Sequence, residues 1–452
     1  MYQAPRGMSD ILPHEQAHWS YIKRSVAAMC GMYGYQRIDT PIFEDSGLFA
    51  RSIGEETDIV QKEMYSLEDR GGTKLTLRPE GTASVCRAYI EHGMSALPQP
   101  VRLYYVAAIF RYERPQAGRY RQHHQFGVEA LGSTDPALDA EVIDMAWRLY
   151  HDLGLRGLAL HLNSIGCCGC RPQYLEALIA YYASHKSSLC GDCGRRLSTN
   201  PLRLLDCKRD SCMHLAQQSP RTVDFLCQEC ARHFDDVKSF LDVLGLPATL
   251  DHRLVRGLDY YTRTVFEIGP AGETAAQATI GGGGRYDRLI EELGGRPTPG
   301  IGFATGMERL VLNLKSQEVA IPAEASPEVF VAYLGEDAKK MALGLASQLR
   351  VAGIPVVGSV GDRGLKAQLR QANTANARCA VIIGDEEVAS QVVILKDMVE
   401  GKQETVPADR LVEVLSGSDM LAHPRNRSLG GRNRGVDSPQ SQQSEDEKVN
   451  RV

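Results

Sequence analysis

The spacing of apolar residues changes character near residue 320, and this change constrains the fold more than any single motif does. Ahead of it, strand and helix signals interleave irregularly. Trp19, Ile22, Val26, Met29, Cys30 and Tyr33 recur at three- and four-residue steps, which predicts a helix from Pro13 to Tyr33 stopped by Gly34. Tyr35 to Thr40 predicts a strand ended by Pro41, and Met64 to Leu67 with Lys74 to Arg78 predicts a hairpin around Asp69-Arg70-Gly71-Gly72. A helix over Thr82 to His92 follows. Two β-rich runs, Val101 to Arg111 and Gln122 to Leu131, are then joined by the charged loop Tyr112 to Arg121. No steady βαβ alternation runs through this region. The expected fold is therefore α+β on an antiparallel sheet, built by residues 1–325. Helical patterns at Arg171 to Lys186 and Val223 to Leu244 mark a mostly helical insertion, about 166–250.

Beyond the polar linker Lys315 to Pro327 the pattern becomes regular. Strands at Val329 to Leu334, Pro355 to Val357 and Ala380 to Ile383 alternate with helices at Glu336 to Ala352 and Leu365 to Ala375. Residues 328–420 thus read as a separate α/β domain. Residues 421–452 are poor in apolar side chains and are expected to be a disordered tail, with Arg425, Arg427, Arg432 and Arg434 solvated.

Composition narrows the class. A chain of 452 residues suggests about three domains. Its 43% hydrophobic and 24% charged content excludes collagen-like and wholly disordered chains. No apolar run approaches the ~20 residues needed to span a bilayer, and Met1 to Gly7 lacks the apolar core of a signal peptide. A cytoplasmic protein without a membrane partner is expected. Lys and Arg total 51 against 56 acids, a net charge of −5, so no global basic field suits a DNA coater.

Twelve cysteines are present, nine of them between Cys167 and Cys230, with CxxC pairs at Cys167/Cys170, Cys190/Cys193 and Cys227/Cys230. In a cytoplasmic chain such pairs point to metal or redox chemistry rather than disulfides. Cys190-x2-Cys193 followed by Cys207-x4-Cys212 is near zinc-ribbon spacing, and Cys227/Cys230 is a further candidate to complete a four-thiolate site. A structural zinc in the insertion stands against reduced, buried thiols.

Three separated segments place arginine beside glycine, carboxylate or phenol. Arg111 ends a strand and is followed by a loop carrying Arg114, Arg119 and Arg121, then by Gln125 and Glu129. A guanidinium fork stays charged and grips phosphate oxygens. Gly300 to Gly306 runs as a glycine-rich strand into a helix bearing Arg309, where the missing side chains let a flat ligand approach the backbone. Arg256, Tyr260 and Tyr261 share one turn ahead of a strand from Thr262 to Ile268. Phenols both donate and accept, which suits a small polar ring.

Together these segments resemble the class II aminoacyl-tRNA synthetases, and among them the histidyl-tRNA synthetase family. Pro5 to Asp10 and the helix–strand–Pro41 unit resemble the opening and first motif, and Leu77 to Thr82 the amino-acid loop. Arg111 to Glu129 is similar to motif 2, Gly302 to Arg309 to motif 3, and Arg256 to Tyr261 to a histidine-specific peptide. The resemblance spans about residues 1–420, in order. It implies an enzyme that joins histidine to tRNA(His) through histidyl-adenylate, using ATP with Mg2+, as a homodimer whose C-terminal domain binds the anticodon.

By the same resemblance Arg111 and Arg256 are the catalytic pair, and Arg111, Arg119, Arg256 and Arg309 hold ATP. Glu80, Gly81, Thr82, Gln125, Glu129, Tyr260 and Tyr261 hold histidine, and no metal ligand belongs to the active site. Gly281 to Asp287 is expected at the same pocket, as a ligand contact or a turn. His123 and His124 are read as packing or solvent residues. Two readings compete: a histidine-sensing regulatory subunit of ATP phosphoribosyltransferase, and a zinc-dependent nucleic-acid module. The first lacks the C-terminal domain and parts of the ATP motifs, both kept here. The second leaves Arg111 to Glu129 unexplained.

Overall fold

A computed structural model describes residues 2–54, 57–114, 118–272, 279–322, 326–361 and 363–417. The chain divides into two compact units, Met1–Ala323 and Glu324–Val452. The tail reading for 421–452 lies outside the described residues.

Strands of the first unit are β1 Gln36–Arg37, β2 Phe43–Asp45, β3 Tyr65–Glu68, β4 Lys74–Leu77, β5 Val101–Phe110, β6 Gln122–Leu131, β7 Leu158–Ser164, β8 Ala248–Leu250, β9 Thr262–Pro270, β10 Gly281–Arg285 and β11 Gly300–Gly306. Eight of them form one sheet in the order β1-β5-β6-β11-β10-β9-β7-β8. Its interior pairings are antiparallel, and only the edge strands β1 and β8 pair parallel. The α+β architecture holds.

Alternation along β6 sorts the two faces. Phe126, Val128 and Ala130 share a buried cluster with Trp19, Ile143, Leu149 and Leu310. Those four belong to the helices Gln16–Met32, Pro136–Asp152 and Met307–Ser316, which cover one face of the sheet. Each large apolar side chain so buried contributes about 1.5–3 kcal/mol. His123, Gln125, Gly127 and Glu129 project from the other face.

The first predicted strand is shorter than expected. Only Gln36 and Arg37 pair with β5, because Arg78 donates to the carbonyls of Thr40 (2.8 Å) and Pro41 (3.2 Å) and draws the chain off the sheet. The chain continues into β2 and a helix, Ser46–Ile53, that the spacing did not announce. The hairpin β3–β4 forms as expected and takes β2 on its free side. The glycine run is not a turn: Gly281 to Arg285 is β10, paired on both sides within the sheet.

Between β7 and β8 lie the helices Arg171–Ser184, Gly191–Thr199, Asp210–Gln217 and Gln228–Val243. The last of these meets the sheet through a buried polar node. Asp139 and Arg285 have no exposed side-chain surface, and Arg285 Nε donates to Asp139 Oδ1 at 2.8 Å. His233 Nε2 lies 2.9 Å from Asp139 Oδ2. The remaining guanidinium hydrogens go to Asp287 (3.0 Å) and to the carbonyls of Ser133 (2.9 Å) and Asp135 (3.1 Å).

In the second unit the sheet order is Val356–Gly358, Val329–Tyr333, Cys379–Ile383, Val392–Asp397, Gln403–Pro407. The expected alternation gives three parallel strands. The last two strands run antiparallel, a departure from a pure α/β pattern. Their connection is too short for a crossover helix, and Asp397 Oδ1 closes the turn by accepting from Val399 and Glu400 N–H at 2.7 Å each.

Asp139→Ala should lower the stability of the first unit by about 3–5 kcal/mol, because it strands a buried guanidinium. Chemical denaturation checks this, and a loss under about 1 kcal/mol, the range of a surface pair, would contradict it.

Candidate active site

The polar face of the sheet floors a cavity of about 730 Å³. Glycine makes the floor low. On β11 and β10, Gly302, Gly306, Gly281 and Gly282 line it, with Ala304 between the first two. Gly302 lies opposite Glu129, and a Cβ there would come within 2.1 Å of Glu129 Oε2. Gly81 and Gly127 clamp the ring of Tyr105, since a Cβ on either would approach that ring to 2.3 Å and 2.4 Å.

One part of the cavity is acidic and closed. Glu80 sits at the start of the helix Thr82–Glu91 and accepts from the backbone N–H of Thr82 and Ala83 at 2.7 Å each. Thr82 Oγ1 donates to Glu129 Oε1 at 2.6 Å, and Tyr286 Oη donates to Glu129 Oε2. Burial outweighs these donors and pushes the Glu129 carboxyl up to about 8. Burial also raises Glu80, against the same helix-end N–H groups. The Tyr260 ring lies 4.7 Å from Tyr261 and 5.7 Å, edge-on, from Tyr286. Gln125 Oε1 is buried with no hydrogen-bond partner, an acceptor that a polar ligand would satisfy.

The rest of the cavity is cationic. Arg111 Nε donates to Pro79 O at 2.7 Å, and Arg309 donates to Thr279 O at 2.6 Å and Gly118 O at 3.4 Å. Neither forms an ion pair with a carboxylate among the described residues, so both charges remain free for an anion. Arg119 lies 3.6 Å from Glu113. Arg256 pairs with Glu267, while its Nε is buried without a partner.

Of the eleven residues singled out from sequence, ten line this cavity. Gly81 lies beneath Tyr105 instead. His124 packs as expected, edge-on to Trp19 at 5.0 Å and 2.9 Å from Glu308. His123 differs, because it lines the cavity. Burial, with Arg111 and Arg309 beside it, holds His123 down at about 3, so the ring is uncharged. Glu267, Tyr105 and a wall from the insertion (Asp192, Arg196, Asn200 and Arg203 among it) were missed. Glu267 carried a signal: it is a lone acid in an apolar strand. The insertion residues carried none.

Residues 7–170 and 203–310 match a family model described as histidyl-tRNA synthetase. The chain belongs to the histidyl-tRNA synthetase family. A histidine–tRNA ligase of Dehalococcoides mccartyi is 58% identical over 412 residues, covering 91% of this chain and 98% of that protein. The crystal structure of apo S. aureus histidyl-tRNA synthetase superposes with a TM-score of 0.77 at 40% identity, covering 91% of this chain and 99% of that one. A Bacillus halodurans chain described as an ATP phosphoribosyltransferase regulatory subunit/histidyl-tRNA synthetase shares the fold at a TM-score of 0.61 and 22% identity. Residues 328–417 match a model described as an anticodon binding domain. Class II synthetases of this family use ATP and Mg2+.

The raised Glu129 carboxyl yields a pH test. The folded chain keeps that proton up to about 8 while the unfolded chain loses it near 4.5, so rising pH favours unfolding across this interval. Thermal melting should therefore show wild type losing ground to Glu129→Gln between these limits. Parallel melting profiles for the two proteins would contradict the assignment.

Proposed function

We propose that this cavity activates histidine with ATP and then transfers it to tRNA(His). One observation carries the reading: two arginines without carboxylate partners share one cavity with a buried carboxylate cluster. The free cations suit a triphosphate, and the cluster suits an amino acid bearing an ammonium and an imidazole.

In the first step a carboxylate oxygen of histidine attacks the α-phosphorus, the bond to the bridging oxygen breaks, and pyrophosphate leaves. Arg111 and Arg256 hold the α-phosphate oxygens on which charge gathers, and Arg309 and Arg119 hold the β- and γ-phosphates. Fixed cations stabilise that charge without reorganising at the moment of reaction. ATP arrives as its magnesium complex. In the second step a terminal ribose hydroxyl of the tRNA attacks the activated carbonyl and AMP departs.

Glu80 and Thr82 face the α-amino group, and Gln125 the polar end of the amino acid. Glu129, Tyr260 and Tyr261 read the ring nitrogens. An apolar analogue would leave Glu129 and Gln125 unpaired, which is costly in a buried site. Gly81 acts beneath this shell by seating Tyr105. The second unit receives the anticodon, whose unpaired bases stack and hydrogen bond on mixed surfaces. Residues 1–325 and 328–420 are assigned these two tasks. Among the described residues no helix is long and apolar enough to cross a membrane.

Two copies are proposed to pair beside β1. That strand is an open sheet edge, the exposed Phe43 and Leu67 lie on the three-stranded sheet, and the exposed Ile42 leads into it from β1. Sedimentation equilibrium should return twice the 49.7 kDa chain mass, and a single-chain mass at micromolar concentration would overturn the pairing.

Purified protein should exchange labelled pyrophosphate into ATP only when histidine is present. No exchange under Mg2+-replete conditions would favour a histidine-sensing subunit instead. Arg256→Ala should lower exchange by about 100-fold or more while histidine affinity is retained. Equal loss of histidine affinity would make Arg256 a structural residue.

A further inference from the structure

Eight of the twelve cysteines gather into two separate groups of four. Cys167, Cys170, Cys227 and Cys230 form one, and Cys190, Cys193, Cys207 and Cys212 the other, with all sulfurs of a group within 4.8 Å of one another. By sequence spacing Cys227/Cys230 is a further candidate to complete the site of Cys190, Cys193, Cys207 and Cys212. The fold instead returns Cys227/Cys230 to Cys167/Cys170, because the first and last helices of the insertion both start beside β7.

We propose that the insertion binds two zinc ions, each on four thiolates. Tetrahedral zinc with sulfur ligands at ~2.3 Å places its sulfurs about 3.8 Å apart. Cys190 and Cys207 Sγ lie 3.8 Å apart, and Cys167 and Cys170 Sγ 3.5 Å apart. Backbone N–H groups already point at sulfur: Cys227 N donates to Cys170 Sγ at 3.1 Å and Cys190 N to Cys212 Sγ at 3.3 Å. Such outer donors stabilise the thiolate form that a metal requires. On binding, four thiols release four protons and form four sulfur–zinc bonds, with no change of oxidation state.

The two sites have different tasks. The first joins the turn after β7 to the start of the helix Gln228–Val243, closing the base of the insertion across 57 residues. Arg171, next to Cys170, donates to Tyr261 O at 2.6 Å, so this staple also supports the turn that carries the phenols. The second site anchors the helix Gly191–Thr199, which presents Asp192 and Arg196 to the cavity. Arg196 bonds Asp58 at 3.2 Å and Asn200 bonds Asp259 at 3.2 Å, so the wall is tied to the catalytic body from both sides. Buried Cys193, Cys207 and Cys212 share a cluster with Tyr174, Leu178 and Tyr182, and the metal adds its binding free energy to that packing.

The metal content itself is the test, and it does not depend on the catalytic reading. Full-length protein purified without chelator from zinc-replete cells should hold two zinc ions per chain. Anaerobic replacement by cobalt(II) should saturate at two equivalents with the absorption of tetrahedral sulfur ligation. Cys212→Ser and Cys227→Ser should each retain one ion, while Cys168→Ser, outside both groups, should retain two. Should a variant not fold, mercurial titration of wild type decides: modification of the eight grouped thiols should release both ions. One ion or none in wild type after anaerobic reconstitution, or two in either site variant, would overturn the proposal.

Discussion

Three parts of the first unit meet at one carboxylate. Asp139 lies on a helix that covers the apolar face of the sheet, Arg285 ends β10, and His233 belongs to the last helix of the insertion. Taking a guanidinium and a carboxylate fully out of water costs several kcal/mol per ion, and only complete pairing offsets it. Here the pairing is near complete: Arg285 also satisfies Asp287 and two carbonyls. The next residue, Tyr286, bonds Glu129 in the cavity. Helix, sheet and insertion are thus locked in register one residue away from a side chain that lines the cavity.

The pocket uses a second constraint, the close approach of side chains to bare backbone. Glu129 fits against β11 only because position 302 has no side chain, and Tyr105 fits between two glycines. Those contacts keep Glu129 dry and its carboxyl raised. A dry acceptor discriminates strongly between ligands that satisfy it and ligands that do not. The cationic region works the other way. Arg111 and Arg309 spend their hydrogen bonds on carbonyls, which orient the forks without neutralising them.

Much of this was legible in the sequence wherever chemistry left a local mark. Periodicity placed the two long strands, the hairpin and several of the helices of both units, the arginine-bearing segments named eight residues that converge on one cavity, and the family resemblance added Glu80 and Thr82. What escaped depends on partners distant along the chain. The early end of β1 follows from Arg78, some forty residues away, and no window around Tyr35 contains it. His123 reads as one of two adjacent histidines, and only the pairing of β6 with both neighbours decides that it turns inward while His124 turns out. The grouping of cysteines likewise follows helix placement rather than spacing.

The insertion leaves β7 and returns on β8, and those two strands pair side by side at the rim of the sheet, with Leu160 facing Ala248. Its entrance and exit are therefore neighbours. Changing the length of a loop whose ends are already held together costs only about 0.6 kcal/mol per doubling. Evolution can remodel such a segment without disturbing the strands that carry the chemistry, and the family model skips 171–202 while matching both flanks. The wall that this stretch lends to the cavity is thus a replaceable part: relatives can share one reaction core and differ in how tightly they enclose it.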